Sequence, residues 1–150
     1  MLAIPAAPQT LDSKDVTDIK ATLVAMWDAV EKGDVDRYAT YVHPAFTSFG
    51  ENDTYITEGK EAEVRNYRDY LRRAADVHTD MHQPVVTVRG DVAWITYYWT
   101  DSGLSDGKRF VNEADGYYGY AAAMVAKAPD GQEVASWLIC DHRFQRRYGL

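Results

Sequence analysis

The stretch MHQPVVTVRGDVAWITYYWT, residues 81–100, carries the clearest structural signal in the chain. Two runs rich in β-branched and aromatic residues, 81–88 and 92–100, flank the pair Gly90-Asp91. Such side chains favour β-strands, and a glycine beside an aspartate is typical of a tight turn. The stretch therefore predicts two antiparallel strands joined by a short turn.

The segment that precedes this hairpin has a helical period instead. From residue 16 to residue 30, apolar residues recur at spacings of three and four, which places them on one helix face. Ser13 is a candidate N-cap and Gly33 a C-terminal glycine. Asp34 is then placed to cap a short second helix, which we expect Pro44 to end. The apolar stripe of the first helix consists of Val16, Ile19, Leu23, Met26, Trp27 and Val30.

The remaining segments continue this pattern of helices followed by strands. We expect short strands at 46–49 and 54–57, a helix over 60–75, a loop at 102–107, a long interrupted strand at 108–127, a turn at 129–131 and a final strand at 134–146. Helices followed by sequential hairpins are typical of the α+β class. We predict one α+β domain over residues 13–150, in which helices pack on a curved, mostly antiparallel sheet, and a flexible arm over residues 1–12.

Composition narrows the range of functions. The 150 residues carry a formal net charge of −7, and the basic clusters Arg72-Arg73 and Arg146-Arg147 are only pairs. Nucleic acids and anionic membranes bind clustered lysines and arginines, so we expect neither as a partner. No run reaches the roughly 18 apolar residues of a membrane helix, and the single Cys140 allows no intrachain disulfide. We expect a cytoplasmic protein, and its apolar N-terminus leaves periplasmic export open.

Five sequence motifs, in order, resemble the SnoaL-like domains of the nuclear-transport-factor-2-like superfamily. They are residues 27–34 (WDAVEKGD), 43–46 (HPAF), 57–62 (TEGKEA), 86–94 (VTVRGDVAW) and 130–142 (DGQEVASWLICDH). The resemblance implies three N-terminal helices packed on a strongly curved sheet, which forms a cone around an internal pocket. It says less about function, because the superfamily includes isomerases, cyclases, dehydratases, dehydrochlorinases, epoxide hydrolases and non-catalytic association domains.

The resemblance also implies a catalytic pair. In the dehydrochlorinase and scytalone dehydratase branch, a histidine at the start of the strand after helix three abstracts a substrate proton, and an acid at the end of helix one orients it. The matching residues here are His82, with His78 nearby, and Glu31, which replaces an aspartate. A neutral imidazole suits this role near pH 7, because its unperturbed pKa is about 6.5.

Two other arrangements of polar residues deserve comparison with this pair. His78, Asp80 and His82 fall on one side of a strand and have the donor types of an iron or zinc site. Alternate strand side chains lie roughly 6.6 Å apart and splay, so we predict no metal, and we expect no cofactor. Asp141 and His142 are neighbours on the last strand, so only one of them can face the pocket. If that residue is Asp141, it suits general-acid chemistry.

Aromatic residues are the candidates for the pocket wall, because tyrosine and tryptophan combine a large apolar area with a polar group. The candidate lining residues are Trp27, Tyr41, His78, Tyr97, Trp99, Tyr118 and Tyr120. Steroid isomerase chemistry is disfavoured. The general-base aspartate of ketosteroid isomerases would fall near Phe49 and their oxyanion-hole acid near residues 121–123, where this chain has no carboxylic acid.

These features together predict a cofactor-free enzyme of the lyase, isomerase or cyclase type, acting on a small, hydrophobic, ring-bearing molecule. The alternative is a non-catalytic ligand-binding or association module with the same fold. Strands 92–100, 117–125 and 137–144 carry apolar or aromatic residues at both parities. In a sheet with one solvent-exposed face, apolar and polar residues would alternate more regularly along each strand. We therefore expect a homodimer formed through the outer face of the sheet, as is common among the proteins that the chain resembles.

Overall fold

The elements follow the order expected of an α+β domain in a computed structural model that describes residues 13–50, 54–112, 119–129, 135 and 137–146. They are α1 (Lys14–Glu31), α2 (Val35–Thr40), β1 (Val42–Phe49), β2 (Thr57–Glu58), α3 (Lys60–Leu71), β3 (Ala74–Arg89), β4 (Val92–Ser105), β5 (Lys108–Asn112), β6 (Gly119–Lys127) and β7 (Trp137–Arg146). The predicted arm at 1–12 and part of the predicted turn at 129–131 lie outside the described residues. Within the described part of the chain, none of the helices is long and apolar enough to cross a membrane.

The strands form one curved sheet in the order β2-β1-β7-β6-β4-β3, and β5 pairs with the end of β4. Every pairing is antiparallel except the parallel pairing of β1 with β7. Helix α1 packs against β3 and β7, and α3 packs against β1. The predicted arrangement, three helices on a mostly antiparallel curved sheet, is therefore confirmed.

Local capping signals fix both ends of α1. The Ser13 hydroxyl accepts a hydrogen bond from the Val16 backbone N–H at 3.3 Å, and Gly33 takes a positive φ of 68° just beyond the last turn. The Asp34 carboxylate then caps α2 by accepting from the Arg37 N–H at 3.0 Å. These caps satisfy helix-end groups that otherwise lack a partner. All members of the predicted stripe except Val16 are buried.

Two helix ends differ from the prediction because strand pairing begins earlier than the sequence suggested. Helix α2 ends at Thr40, and Pro44 lies inside β1 instead of stopping a helix. The Tyr41 carbonyl already accepts a bond from the Ile139 N–H at 2.8 Å, which commits this segment to β7. Likewise α3 ends at Leu71, and residues 74–75 pair with β4 rather than extending the helix.

Strand β3 begins at Ala74 and not at Met81, because two irregularities interrupt its period-two pattern. The register with β4 shifts between residues 75 and 78 and again between residues 82 and 85. Asp76 and Gln83 take positive φ values of 51° and 50° at these points. A bulge adds one unpaired residue and changes which side chains face the core, so no single alternation runs through the whole strand.

The predicted loop at 102–107 is mostly strand. β4 continues to Ser105 and forms a hairpin with β5, and only Asp106 and Gly107 make the turn. Both have positive φ, as a type I′ turn requires, and Asp-Gly is a strong signal for this turn. The predicted strand at 108–127 divides into β5 and β6, and the short strand expected at 54–57 is reduced to β2.

The core lies between α1 and the inner face of the sheet. The inward positions of β4 are Ala93, Ile95, Tyr97 and Trp99, all of which are buried. Opposite them, Ala121 pairs with Tyr97 and Gly119 with Trp99. A Cβ atom on Gly119 would overlap the Trp99 indole ring. Small residues on β6 therefore make room for the large rings of β4.

Leu23 and Val24 offer a matched test of this core, because they are adjacent in α1 but Leu23 is fully buried and Val24 is 55% exposed. We expect Leu23→Ala to lower the free energy of unfolding by about 2–5 kcal/mol, since it opens a cavity between helix and sheet. Val24→Ala should change it by less than about 0.5 kcal/mol. Urea denaturation measures both, and equal effects of the two substitutions would contradict the orientation of α1.

Candidate functional site

A cavity of about 420 Å³ lies between the helices and the inner face of the sheet. It is the internal pocket that the fold was expected to contain. Its described lining residues are Trp27, Val30, Ser48, Gly50, Thr57, Glu63, Asn66, Tyr67, Tyr70, Val77, Thr79, Trp99, Asp101 and Phe144. Five of these side chains are aromatic, so part of the wall can contact the face or edge of a ligand ring.

Helix α3 supplies one wall through residues spaced like a single helix face. Glu63, Asn66, Tyr67 and Tyr70 stand at positions i, i+3, i+4 and i+7, which project from the same side of a helix. The sequence analysis had not included Glu63 among the candidate site residues. Its position one helical turn before Tyr67, which faces inward, was the sequence signal that could have identified it.

Glu63 is a buried carboxylate held by hydroxyl groups. Its side chain is only 7% exposed, and it accepts hydrogen bonds from the Tyr38 hydroxyl at 2.7 Å and from the Ser48 hydroxyl at 3.4 Å. Burial, and then the neighbouring Glu63 charge, raise the pKa of Tyr67 well above its usual value. Burial likewise raises the pKa of Tyr38. Both phenols therefore stay protonated at neutral pH and can act as hydrogen-bond donors.

Asp101 places a second carboxylate in the cavity wall. It follows Trp99 by two residues on β4, so both side chains point to the inner face of the sheet, and its Cα partner on β3 is Thr79, another lining residue. The sequence analysis ended the strand at Thr100 and assigned residues 102–107 to a loop. It therefore did not show that Asp101 lies on the same face of the strand as Trp99. With β4 extended, Asp101 and Glu63 are the two acidic residues of the described cavity wall.

The structure brings Glu31 to His78 rather than to His82. The Glu31 carboxylate lies 3.3 Å from His78 Nδ1 and accepts a hydrogen bond from the Thr79 N–H at 2.6 Å. His78 Nε2 in turn lies 3.2 Å from Asp80. The His78 side chain is 65% exposed, and its neighbours Val77 and Thr79, not His78 itself, line the cavity.

His82 takes a different position from the one expected because of strand parity. Met81 pairs with Trp99 and His82 with Tyr98, so Trp99 faces the cavity while His82 lies on the opposite face of the sheet. There His82 Nε2 is 3.0 Å from the Thr100 hydroxyl. Within the described part of the chain, no group of three or more histidine, cysteine, aspartate or glutamate side chains is arranged to hold a metal ion.

On β7 the inward residue is His142, and Asp141 faces outward. Asp141 accepts hydrogen bonds from the Thr47 hydroxyl and from Arg143 Nε, the latter at 3.0 Å. His142 is 3% exposed, and its Nε2 lies 2.6 Å from the Tyr97 hydroxyl. Its ring centroid also lies 4.1 Å from that of the lining residue Phe144, with the two rings tilted at 39°. Burial lowers the pKa of His142 to about 3, so the imidazole is neutral behind the cavity wall.

The remaining pocket candidates are distributed between the wall and the core. Trp27 and Trp99 line the cavity. Tyr97 is buried in the layer behind it, next to His142, and burial raises its pKa. Tyr41 is buried beside α1 and borders a separate hollow that also touches Thr22. Tyr118 and the side chain of Tyr120 lie outside the described residues.

A sequence profile described as the SnoaL-like domain matches residues 19–114, which is more than half of the chain. The chain belongs to the SnoaL-like domain family. The match includes most of α1, all of α3 and the hairpin of β3 and β4, which together supply most of the cavity wall. No curated protein sequence matches at a significant level.

Solved structures similar to this SnoaL-like protein include a candidate dehydratase of the NTF2-like family from Streptomyces avermitilis. The two share 16% identity and a TM-score of 0.76 over 90% of this chain and 97% of that one. A candidate aromatic ring hydroxylase from Novosphingobium aromaticivorans shows 14% identity and a TM-score of 0.75, with 89% of each chain covered. A ketosteroid isomerase-like protein from Erwinia carotovora atroseptica shows 12% identity and a TM-score of 0.69, with 92% and 100% covered. Identities this low establish the shared fold alone.

His142 should make the stability of the SnoaL-like protein depend on pH in a defined window. The folded state keeps this imidazole neutral down to about pH 3, whereas the unfolded chain binds a proton below about pH 6.5. Stability should therefore be complete above about pH 6.5 and fall as the pH is lowered towards 3, by up to about 1.4 kcal/mol per pH unit.

The measurement is the free energy of unfolding between about pH 6 and pH 4. We expect His142→Gln, which can keep a hydrogen bond to Tyr97, to flatten the slope relative to the wild-type protein. His43→Gln removes a histidine that is not fully buried and controls for the loss of any imidazole. A slope that stays the same in His142→Gln would show that His142 is not the group responsible.

Proposed function

We propose that this SnoaL-like protein is a cofactor-free enzyme of the lyase, isomerase or cyclase type that acts on a small ring-bearing molecule in the cavity. The observation that carries the proposal is the combination of aromatic side chains with two carboxylates, Glu63 and Asp101, in the wall of one cavity. A cavity of about 420 Å³ falls within the roughly 300–1,000 Å³ range of small-molecule sites. Its rings offer stacking and edge contacts to a cyclic substrate.

Asp101 is our candidate for the general base. It lies in the cavity wall beside Trp99, so a substrate stacked on that indole would place its C–H bonds close to the carboxylate. Proton abstraction is the first step shared by elimination, isomerisation and aldol-type cyclisation. A base must reach the proton it removes before its pKa matters, and the position of Asp101 in the cavity wall supports this assignment.

Glu63 and Tyr67 are suited to complementary roles. Glu63 is anchored by Tyr38 and Ser48, which favours binding and orientation over proton transfer. Tyr67 lines the cavity, and its raised pKa keeps its phenol protonated. A protonated phenol can donate a hydrogen bond to an oxygen that gains negative charge as the proton is removed. The candidate dehydratase and the ketosteroid isomerase-like protein among the similar structures support chemistry of this class.

The sequence-based pair of Glu31 with a histidine is the competing assignment for the base. The contact between Glu31 and His78 provides an oriented imidazole, but on a side chain that is mostly exposed. His82 and Asp141 remain candidates only if the substrate binds outside the cavity, since the structure places both on the outer face of the sheet.

A non-catalytic binding module is the second candidate function. The observation that favours it is that no histidine occurs among the described lining residues, although histidine is the side chain most often used for proton transfer near neutral pH. Such a module would use the cavity for the same class of ligand without turnover.

Hydrogen–deuterium exchange tests the enzyme proposal before a substrate is known. We expect the protein in D₂O to catalyse exchange at the carbon next to the carbonyl in a panel of small cyclic ketones, followed by NMR. Asp101→Asn should slow this exchange roughly 100-fold or more, the usual contribution of a general base, while His82→Ala should leave it unchanged. Loss of exchange in His82→Ala but not in Asp101→Asn would instead support the sequence-based assignment, and binding without exchange would support the binding module.

We also propose that the protein is a homodimer formed through an outer patch of Val85, Trp94, Tyr98 and Met124. These side chains are exposed on the face of the sheet that points away from the helices, and Trp94 pairs directly with Met124. Monomeric proteins seldom expose contiguous apolar patches of appreciable size. A second copy of the same patch would cover it through a two-fold axis.

Light scattering at micromolar concentration tests the dimer. We expect a mass near twice the 17.0 kDa of one chain. Trp94→Glu should reduce it to the mass of a single chain, because it places a charge in the centre of the contact. Tyr55→Glu, at an exposed residue outside the sheet, serves as the control. A wild-type mass near 17.0 kDa would contradict the dimer.

A further inference from the structure

Three neutral polar side chains of the cavity wall meet where β1, β2 and α3 come together. Ser48 on β1 pairs with Thr57 on β2, and the Asn66 side-chain amide on α3 donates a hydrogen bond to the Thr57 hydroxyl at 3.2 Å. All three residues line the cavity. Ser48 and Thr57 are half-buried and Asn66 is exposed, so this group lies where the cavity meets solvent.

Backbone hydrogen bonds hold these residues in position. Strand β2 pairs with β1 through residues 57 and 58, and the Gly59 N–H donates to the Phe46 carbonyl at 2.7 Å just before α3 begins. Gly59 takes a positive φ of 86°, a conformation that glycine adopts without a steric penalty, and the chain turns there from β2 directly into α3. Thr57 and Asn66 are therefore already placed before a ligand binds, which lowers the entropic cost of binding.

The hydrogen bond between Asn66 and Thr57 uses only part of the bonding capacity of the two side chains. It involves an N–H of the Asn66 amide and the oxygen of the Thr57 hydroxyl. A threonine hydroxyl also has a hydrogen to donate, and an asparagine amide also has an oxygen that accepts. The wall thus presents a donor and an acceptor side by side. A ligand hydroxyl, which both donates and accepts, is complementary to this pair.

Aromatic rings occupy a different part of the wall. Phe144 meets Trp27 at an interplanar angle of 67° and Trp99 at 85°, with ring centroids 6.2 and 5.9 Å apart. Trp99 lies on β4, which β1, β7 and β6 separate from β2. Neighbouring strands are roughly 4.8 Å apart, so four spacings make a path of roughly 19 Å along the curved sheet. A ligand whose ring packs on Trp99 therefore needs a chain or a second ring to reach Thr57 and Asn66.

We infer that Thr57 and Asn66 form a hydrogen-bonding subsite for a hydroxyl group of the ligand, at the end of the molecule opposite the ring that packs on Trp99. The inference deepens the proposed function by naming the ligand class, an elongated ring-bearing alcohol. It rests on that function only in requiring that the cavity binds a small molecule. The subsite fixes the orientation of the ligand, and this orientation keeps the ring rather than the hydroxyl end beside Asp101.

Phenyl alcohols of increasing length test the subsite. The probes are 2-phenylethanol, 4-phenylbutan-1-ol and 6-phenylhexan-1-ol, each compared with its methyl ether, which cannot donate a hydrogen bond. We expect titration calorimetry or ligand-observed NMR to show that the shortest alcohol and its ether bind alike. At least one longer alcohol should bind about three- to tenfold more tightly than its ether, which is the net contribution of a neutral hydrogen bond.

Variants locate the groups that bind the hydroxyl. Thr57→Val removes the hydroxyl and keeps the shape of the side chain, and Asn66→Ala removes the amide. Each should abolish most of the advantage of the longer alcohol over its ether and leave the affinity of 2-phenylethanol unchanged. Thr54→Val is the matched control, because Thr54 is an exposed threonine near β2 that is not among the described lining residues.

Three results would overturn the inference: equal binding of every alcohol and its ether, an advantage of the same size at all chain lengths, or an advantage that persists in Thr57→Val and Asn66→Ala. Absence of binding by all the probes at millimolar concentration would also overturn it. If one variant does not fold, the other variant and the wild-type comparison still decide the question. The deuterium-exchange assay uses small ketones without a hydroxyl group and reports separately on the proposed function, so the two failures are distinguishable.

Discussion

The alternation of side chains along β4 is the constraint on which the rest of the structure depends. β4 pairs with β3, β5 and β6. The residues of β4 that face the helices therefore determine which residues of these neighbouring strands face the same way. The inward residues of β4, from Ala93 to Trp99, are buried against the helices, and the same face continues to Asp101 in the cavity. A shift of one residue would exchange these side chains for Trp94 and Tyr98 and would place every inward group of β4 on the outer face.

Burying carboxylates beside aromatic rings works against folding, because a charge loses its hydration when it leaves water. The structure offsets this cost through hydrogen bonds. Tyr38 and Ser48 bind Glu63 from α2 and β1, two elements that are separated from α3 in the chain. The same bonds attach α3 to the rest of the domain. The groups that define the chemistry of the cavity thus also hold one of its walls in place.

The sequence indicated most of the fold but little of the site, and the reason is the range over which each signal acts. Ser13, Gly33 and Asp34 are local caps, and the α1 stripe repeats over four turns, so both could be recognised from a single segment. The bulges near Asp76 and Gln83 arise from pairing with β4 and leave no local signature. Each shifts the strand parity. His82 was expected inside the pocket because of the family resemblance, which did not reveal its pairing with Tyr98 on the outer face. Glu63 was missed because an acidic residue on a helix is ordinarily assigned to the solvent side.

The contact between Gly119 and Trp99 makes the effect of a substitution on β6 depend on the residue present on β4. The Trp99 indole, which forms part of the cavity wall, occupies the space that a Cβ atom on residue 119 would need. Any side chain there would displace the indole, unless a smaller residue had already replaced Trp99. Substitutions at the two positions are therefore epistatic, and their order matters. Even alanine does not fit at position 119 while Trp99 is present. Once Trp99 has been replaced, the glycine is no longer required. A larger residue at position 119 would then prevent tryptophan from being restored at position 99.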